Sequence, residues 1–310
     1  MDDPGIISQE VETCLRHWSV TPSSLELVSH SENIVYKVTA EDGTNYALRV
    51  HRPGYHTMAV LNSERIWTDA LIQFGLRVPR AYPTKTGEYY VSAECGGTTR
   101  QIGLIAWLEG KPMSDIVVAE GEGEFPLELI RDAGVNCAQF HNQAANWTPP
   151  PEFTRHSPNI QGLLGDEPFW GRFWESPSLT RAERLTINAL RKLITQRLEN
   201  YGESSNTYSM IHSDMHDENL FVGDGGLMVI DFDDAGFGWH QYDLAVMLFP
   251  YSDRSDFDAI QQTLIEGYRT QRNLCDEDLS YLEMFIKMRT LALIGWLSAR
   301  PELDLSLIHI

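Results

Sequence analysis

The most informative part of the chain is residues 211–234, which read IHSDMHDENLFVGDGGLMVIDFDD. Three of its residues form the pattern His212-x-Asp214-x4-Asn219, and a second acidic group begins at Asp231, twelve residues after Asn219. The second group ends an apolar run that is typical of a buried strand. A lone His-x-Asp-x4-Asn occurs by chance, but its combination with an aspartate at a strand end is far more specific, and an acidic surface loop explains it poorly.

The residue types in this stretch suit the transfer of a phosphoryl group from ATP. The donor and the transition state carry several negative charges, which Mg²⁺ neutralises, and Mg²⁺ takes oxygen ligands. Asp231 supplies a carboxylate and Asn219 an amide oxygen, whereas Asp214 can accept a hydrogen bond from an acceptor hydroxyl and take its proton. We therefore predict Asp214 as the catalytic base and Asn219 and Asp231 as metal ligands. His212 is expected to hydrogen-bond the loop.

The same stretch admits a second interpretation, a metal-dependent hydrolase. His212, His216, Asp217 and Asp231 are all residue types that bind catalytic metals. The sequence holds no second histidine cluster at helical spacing, and His141 stands alone, as a packing histidine would. The hydrolase is therefore kept as a remote alternative.

Charge and composition exclude several other classes of protein. The 310 residues are 42% hydrophobic, which is typical of a folded chain, and 24 basic against 44 acidic residues give a net charge of −20. Proteins that bind nucleic acid usually carry the opposite sign. The four cysteines are scattered, the N-terminus lacks a signal-peptide pattern, and no apolar run approaches a membrane span. We expect a cytoplasmic protein with no nucleic-acid or membrane partner, and the sequence gives no indication of an oligomeric state.

Residues 24–108 read mainly as short strands. Two β-rich runs flank the turn Glu41-Asp42-Gly43, which is the pattern of a hairpin. One helix, Met58–Phe74, is expected to end at Gly75. Its apolar side comprises Leu61, Trp67, Leu71 and Phe74. The expected strands are Leu25–Val28, Asn33–Ala40, Asn45–His51, Leu76–Tyr82, Glu88–Glu94 and Gln101–Leu108.

The later part of the chain has helical periodicity, and the change of period places a domain boundary near Glu109. We predict a β-rich nucleotide-binding lobe over 1–108 and a helical catalytic and acceptor-binding lobe over 109–304, with an aromatic insertion at 148–178. The last six residues, 305–310, match the translation of a transposon end used in sequencing libraries, and we expect them to be non-native. The expected helices are Leu127–Ala145, Leu179–Tyr201, Tyr242–Phe249, Asp256–Arg272 and Asp276–Ser298.

These motifs resemble those of the aminoglycoside phosphotransferase and choline kinase-like family, small-molecule relatives of the protein kinases. The pattern at 212–219 looks like their catalytic loop, and Asp231-Phe232-Asp233 stands where protein kinases carry Asp-Phe-Gly. The resemblance covers roughly residues 24–298. It implies an α+β, bilobal protein-kinase-like fold: an antiparallel β-sheet with one helix in the N-terminal lobe, a mostly helical C-terminal lobe, and ATP between them. It also implies that Asp243 is a buried aspartate that stabilises the catalytic loop.

The resemblance further implies a pair of charged residues that bind the nucleotide. Arg49 ends the second hairpin strand, where the family generally has a lysine that binds the α- and β-phosphates. Arginine keeps the charge and can bind phosphate through two hydrogen bonds, but it differs from lysine in bulk and hydration. Glu64, on the following helix, matches the carboxylate that pairs with this cation. A solvated glutamate on the helix face is the alternative interpretation.

Two other segments are implied to contact the nucleotide. The loop that contains Ser31 and Asn33 joins the first two strands and is expected to lie over the phosphates, although it lacks the glycine-rich pattern of protein kinases. Residues 105–108 resemble the hinge whose backbone hydrogen-bonds adenine, which makes Ala106 and Leu108 candidate adenine contacts. A buried edge strand is the alternative for this hinge.

The segment after Asp234 favours a small-molecule acceptor. Protein kinases have there an activation segment that ends in Ala-Pro-Glu, whereas here residues 235–240 lead directly into a predicted helix. Residues 109–310 carry 15 basic and 32 acidic side chains, a net charge of −17, and the insertion contributes aromatic residues at 169–174. Both features suit cationic acceptors such as aminoglycosides, other amino-sugars and amino-alcohols. Zwitterionic hydroxy-amino acids are a further class of acceptor that the sequence allows.

The expected function is that of an ATP- and Mg²⁺-dependent kinase that phosphorylates a hydroxyl group of a small molecule. The arginine at position 49 motivates an alternative from another class, a nucleotide-binding regulator without turnover. A bacterial Ser/Thr protein kinase-like member of the family is a further alternative. The presence of Asp214, Asn219 and Asp231 together favours the enzyme.

Overall fold

The computed structural model describes residues 4–30, 33–120 and 125–300. These residues form two compact units: the chain up to Gly110 with Pro149–Thr154, and Lys111–Thr148 with the chain from Arg155 onward. The mixed α/β architecture, with an antiparallel sheet and helical segments, confirms the predicted fold class. The expected non-native tail lies outside the described residues.

The segment 149–154 belongs to the first unit, although the sequence analysis assigned it to the second lobe. Its last residue, Thr154, donates its backbone N–H to Ser63 Oγ at 2.9 Å. Ser63 is a buried residue of the one long helix in that unit. The local sequence pattern does not indicate that the chain returns to the first unit for these six residues. The predicted and observed boundaries therefore differ.

A six-stranded antiparallel sheet forms the core of the first unit. Its strands are β1 (Pro22–His30), β2 (Ile34–Ala40), β3 (Asn45–Val50), β4 (Ala81–Tyr82), β5 (Tyr90–Cys95) and β6 (Thr98–Ala106). They follow the order β1-β2-β3-β6, and both β4 and β5 pair with the free edge of β6. Alternate residues of β2 are buried, as in a sheet with one covered face. The buried residues pack against Val11, Leu15 and Trp18.

The turn between β2 and β3 sets the register that positions Arg49. Gly43 has a φ of +84°, which suits glycine, and the Thr44 N–H donates to Asp42 Oδ1 at 2.9 Å. The same bond lowers the pKa of the Asp42 carboxyl. In this register Arg49 lies opposite Val35. The predicted hairpin is therefore confirmed.

Helix α2 (Met58–Phe74) begins and ends where the sequence predicts. Thr57 Oγ1 accepts the Val60 N–H at 3.3 Å, and Gly75 ends the helix with a φ of +102°. Three of the four residues of the predicted apolar side are buried, but the fourth, Phe74, is 54% exposed. The prediction for Phe74 was wrong because this residue is the last of the helix, where the chain turns away at Gly75.

Two elements of the first unit differ from the sequence analysis. The predicted strand Leu76–Tyr82 is reduced to β4, because Pro79 and Pro83 have no N–H to donate to a neighbouring strand. Helix α1 (Pro4–Cys14) was not predicted. It buries Val11 and Cys14, too few apolar residues to produce a clear helical period.

The second unit is mostly helical, as predicted. Its helices are α3 (Met113–Glu120), α4 (Leu127–Ala145), α5 (Arg181–Tyr201), α6 (His240–Leu248), α7 (Phe257–Arg269), α8 (Asp276–Leu279) and α9 (Leu282–Ser298). The predicted helix Asp276–Ser298 is thus interrupted after Leu279, and α3 was not predicted. Across the described ranges, no helix combines the length and the apolar character that a membrane span needs.

Two small antiparallel sheets complete the second unit, and of their strands the sequence indicated only the apolar run before Asp231. One has the strand order β10-β9-β7 and the other pairs β11 with β8. Each strand has only two to four residues, too short for an alternating pattern. The strands are β7 (Lys111–Pro112), β8 (Tyr208–Ile211), β9 (Leu220–Gly223), β10 (Gly226–Val229) and β11 (Gly236–Trp239). Together they position the stretch 211–234.

Candidate active site

The backbone before Asp214 is held by a buried carboxylate. Asp243, on the fully buried helix α6, accepts the Ser213 N–H on Oδ1 at 2.7 Å and the His212 N–H on Oδ2 at 2.9 Å. Burial raises the pKa of Asp243 to about 6. Ser213 has a φ of +68°, a left-handed conformation that is strained for serine. Asp243 therefore stabilises the loop in the way that the family resemblance implies.

His212 links this loop to the end of β10. Its Nδ1 accepts the Asp214 N–H at 3.3 Å, and its Nε2 donates to the Ile230 carbonyl at 3.0 Å. Burial lowers the pKa of the imidazole, which keeps it neutral. Both ring nitrogens are used within the protein, so His212 is not available as a metal ligand. The expectation that it hydrogen-bonds the loop is confirmed.

His141 supports Asp243 from the other side. Its Nε2 lies 3.1 Å from Asp243 Oδ2, and its Nδ1 lies 2.8 Å from the Tyr268 hydroxyl. Cys137 Sγ is also close, 3.8 Å from Nε2, so that a cysteine, a histidine and an aspartate meet in the interior. The Asp243 oxygens already accept two backbone N–H groups, and burial lowers the pKa of His141. The cluster is therefore a hydrogen-bond network, and His141 is the packing histidine that the sequence predicts.

The carboxylate of Asp214 is surrounded by donors. Arg289 Nη2 lies 2.6 Å from Oδ1, while Asn219 Nδ2 and His216 Nε2 lie 3.3 and 3.4 Å from Oδ2. Burial alone would raise the pKa of Asp214, but the positive charges of His216 and Arg289 hold it below its ordinary value. Asp214 in turn raises the pKa of His216, against the effect of burial. Asp214 is therefore ionised at neutral pH.

Asn219 is tied to the same loop by its amide nitrogen. Besides Asp214 Oδ2, Nδ2 donates to the Asp214 carbonyl at 2.9 Å, and the Asn219 backbone N–H donates to the His216 carbonyl at 3.0 Å. With the nitrogen turned toward Asp214, the amide oxygen Oδ1 is the end that can bind a metal. The structure thus brings the predicted base and one predicted metal ligand into direct contact.

Asp231 lies two residues after the end of β10, and the backbone of the intervening Ile230 is hydrogen-bonded to the loop. The Ile230 N–H donates to the Asn219 carbonyl at 3.0 Å, and the Ile230 carbonyl accepts from His212. Among the described residues, Asp231 and Ser213 are the non-glycine residues with a left-handed φ, and that of Asp231 is +63°. Asp231 is exposed. A strained, exposed carboxylate next to two anchored loop residues is typical of a functional position.

Arg155, which the sequence analysis missed, supports the chain after Asp231. Its guanidinium donates to the carbonyls of Ala235, Phe232 and Asp233 at 2.6, 2.7 and 2.6 Å. Arg155 is 8% exposed. It lies far away in the sequence, on the aromatic insertion, so no local pattern could have identified it.

The aromatic insertion also contacts the acidic group after Asp231. Trp170 Nε1 donates to Asp234 Oδ1 at 3.4 Å, and the centre of the Trp170 ring lies 5.7 Å from the Arg289 guanidinium carbon. Phe169 stacks on His156, whose Nε2 lies 2.9 Å from the Asp234 carbonyl. Phe169 and Trp170, two of the aromatic residues of the insertion, therefore lie near Asp234, whereas Trp174 stacks on Arg191.

In the first unit, Arg49 and Glu64 form the pair that the resemblance implies. Arg49 Nη1 lies 3.1 Å from Glu64 Oε1, and both side chains are largely buried. The interpretation of Glu64 as a solvated glutamate on the helix surface was therefore wrong. Burial of this ion pair restricts both side chains to a single geometry.

Two of the other residues predicted to contact the nucleotide, Asn33 and Ala106, each use one hydrogen-bonding group within the protein. Asn33 Oδ1 accepts the Arg52 N–H at 3.1 Å, so its side chain stabilises the loop. The Ala106 N–H donates to the Arg80 carbonyl at 2.8 Å, which leaves only its carbonyl and side chain for a ligand. Leu108 is half-buried in the irregular segment after β6. Ser31 lies outside the described residues.

A sequence model described as "Phosphotransferase enzyme family" matches residues 24–280. The chain belongs to this phosphotransferase family. Amicoumacin kinase of Bacillus subtilis (strain 168) is 25% identical to the phosphotransferase over 302 residues, which covers 93% of this chain and 83% of that protein. The family membership explains why the catalytic-loop pattern and the Asp231 group occur together.

Solved structures agree with this assignment. The structure of a microcompartment-associated aminopropanol kinase matches this chain with a TM-score of 0.81 and 30% sequence identity. The match covers 93% of this chain and 88% of that kinase. An amicoumacin kinase in complex with AMP-PNP and Ca²⁺ has a TM-score of 0.78 at 19% identity, with 96% and 87% covered, and shows the shared fold. The phosphotransferase is thus an ATP-dependent kinase of a small molecule with an alcohol group as acceptor. This finding disfavours the regulator and the hydrolase.

We predict that Arg155→Lys destabilises the phosphotransferase by about 2–4 kcal/mol, because a lysine cannot satisfy three buried carbonyl groups at once. Urea unfolding monitored by tryptophan fluorescence measures this change. Arg181→Lys is the matched control, since Arg181 is an exposed residue at the start of α5. Equal unfolding midpoints for both variants would contradict the role given to Arg155.

Proposed function

We propose that the phosphotransferase uses Asp214 to orient the hydroxyl group of its acceptor. The observation that carries this proposal is the Asp214 carboxylate, which follows a strained residue anchored by Asp243 and is kept ionised by Arg289 and His216. An ionised carboxylate accepts a hydrogen bond from a hydroxyl group and can take its proton.

In the proposed reaction, the acceptor oxygen forms a bond to the γ-phosphorus of ATP. The bond between this phosphorus and the β–γ bridging oxygen breaks, and ADP leaves. The hydroxyl proton passes to Asp214 and then to solvent. Because neighbouring positive charges lower the pKa of Asp214, its carboxylate is a weak base, but a loose transition state requires little basicity. Asp214 therefore contributes mainly by orienting the hydroxyl.

We assign Asn219 and Asp231 to a Mg²⁺ ion. Both offer the oxygen ligands that this ion takes. Because Asn219 Nδ2 donates a hydrogen bond to Asp214, we assign the amide oxygen Oδ1 to the metal. Asp231 is an exposed carboxylate and needs little desolvation to bind a cation. Mg²⁺, when bound, neutralises charge on the nucleotide phosphates.

In the first unit, we assign Arg49 to the phosphates of the nucleotide. Its guanidinium is held 3.1 Å from Glu64, and a guanidinium is permanently charged and suited to bind phosphate oxygens. Ser31, Asn33, Ala106 and Leu108 stay candidates for backbone contacts. The use of ATP and the four free cysteines support a cytoplasmic location.

For the acceptor, we propose a cationic amino-alcohol or amino-sugar. Residues 201–250, which surround Asp214 in sequence, contain nine carboxylates and neither lysine nor arginine. Asp233 and Asp243 are buried, but the other seven are at least partly exposed, and exposed carboxylates attract a cation over a Debye length of roughly 8–10 Å. Relatives named for aminopropanol, choline or ethanolamine, and aminoglycosides support an acceptor of this chemistry.

A panel of hydroxyl compounds with Mg²⁺ and ATP tests the acceptor class. The panel pairs each amine, such as aminopropanol or ethanolamine, with the uncharged alcohol of the same carbon skeleton, and ADP release is measured at low ionic strength. We expect kcat/KM to be at least about tenfold higher for the amines, because the acidic surroundings raise their local concentration. Equal values for the paired compounds would exclude charge as the basis of selection.

Asp214→Asn is expected to lower kcat by about 10²–10⁴-fold, because an amide neither takes the proton nor accepts as strong a hydrogen bond. The dissociation constant of AMP-PNP, measured by calorimetry, is expected to stay within about twofold, since Asp214 acts on the acceptor. The control is Asp224→Asn, which removes an exposed carboxylate from the turn between β9 and β10. Unchanged kcat in Asp214→Asn would refute the assignment.

Asp231→Asn is expected to raise the Mg²⁺ concentration that gives half-maximal activity by about tenfold or more, because the variant loses an anionic ligand. EDTA should abolish the activity of the unmodified protein, and excess Mg²⁺ should restore it. The Asp224→Asn variant again serves as control for the loss of one negative charge. The same Mg²⁺ dependence in both variants would place the metal elsewhere.

A further inference from the structure

Arg289 is a buried cation whose role has so far been limited to its charge, which lowers the pKa of Asp214. It lies in the middle of α9, and 9% of its side chain is exposed. Its Nη2 forms the shortest of the three side-chain contacts to the Asp214 carboxylate, 2.6 Å to Oδ1. Burial opposes the charged form of Arg289, but Asp214 raises the pKa of the guanidinium. The two groups therefore form an ion pair.

Arg289 is enclosed by its surroundings. It is a buried residue of α9, and the centre of the Trp170 ring lies 5.7 Å from its guanidinium carbon. A Cβ on Gly295 would lie 2.6 Å from the Gly171 carbonyl oxygen, so the backbones of α9 and the insertion approach each other closely. The helix that carries the guanidinium is therefore packed against the insertion.

The two oxygens of Asp214 are consequently not equivalent. Oδ1 forms a short, charge-assisted bond with Arg289. Oδ2 has longer contacts, 3.3 Å to Asn219 Nδ2 and 3.4 Å to His216 Nε2. Arg289 therefore makes the closest contact with the carboxylate, and the orientation of the whole group depends on this bond.

We propose that Arg289 is a positioning residue that fixes the orientation of the Asp214 carboxylate toward the acceptor hydroxyl. This inference rests on the proposed function of Asp214. Without Arg289, the carboxylate can rotate about its Cβ–Cγ bond and lose the alignment of the hydroxyl with the γ-phosphorus. Misplacement of a reacting group by about 1 Å can cost about 10²-fold in rate.

The test compares Arg289→Gln, which removes the charge, with Arg289→Lys, which keeps it on a less rigid group. We expect Arg289→Gln to lower kcat by about 10²-fold and Arg289→Lys to restore part of this loss, while KM for ATP changes less than about twofold. Lys287→Gln, which removes an exposed cation from the same helix, should leave kcat unchanged. If Arg289→Gln fails to fold, the test is the kcat of Arg289→Lys. A kcat equal to that of the unmodified protein would then overturn the proposal.

A double-mutant cycle shows whether Arg289 acts through Asp214. Adding Arg289→Gln to Asp214→Asn should lower kcat by less than about threefold further, because the carboxylate to be positioned is already absent. A full additional loss would overturn the proposal. So would an unchanged kcat in Arg289→Gln, or a loss confined to KM for the acceptor, which would make Arg289 an acceptor contact.

These outcomes separate the inference from the proposed function. If Asp214→Asn keeps full activity, the role of Asp214 fails, and the inference on Arg289 fails with it. If Asp214→Asn loses activity and Arg289→Gln and Arg289→Lys keep theirs, only the inference on Arg289 fails.

Discussion

The candidate site depends on the hydrogen bonds between the Asp243 carboxylate and the backbone of residues 212–213. A left-handed serine costs about 1–3 kcal/mol, whereas each hydrogen bond to a charged group contributes about 1.5–3 kcal/mol. Two such bonds therefore outweigh the strain at Ser213 and hold the loop. Asp214 follows directly, and its contacts with Asn219 then order the rest of the loop.

The distribution of charge explains why the supporting cations come from distant parts of the chain. The stretch 201–250 has nine carboxylates and no lysine or arginine, so its guanidinium donors come from other parts of the chain. Arg155 reaches the backbone after Asp231 from the insertion, and Arg289 reaches Asp214 from α9. The low pKa of Asp214 follows from this arrangement, and it suits a carboxylate that orients a hydroxyl group more than it deprotonates it.

The sequence identified those features that depend on local patterns. The hairpin, α2 with its glycine end, α4 and the catalytic-loop motif all have a characteristic spacing or period. Arg155 and Arg289 were missed because each is a single residue whose partners lie 75 to 80 positions away in the sequence and whose surroundings read as ordinary helix or loop. The short strands β7, β8, β9 and β11 were missed because two to four residues give no period, whereas the apolar run of β10 was identified.

A crystal structure of the phosphotransferase with Mg²⁺ and AMP-PNP tests the central claim most directly. The account predicts that Asn219 Oδ1 and an Asp231 carboxylate oxygen both lie about 2.1 Å from the metal, with Asp214 facing the γ-phosphate. A metal bound by other residues, or an Asp214 carboxylate turned away from the γ-phosphate, would contradict it.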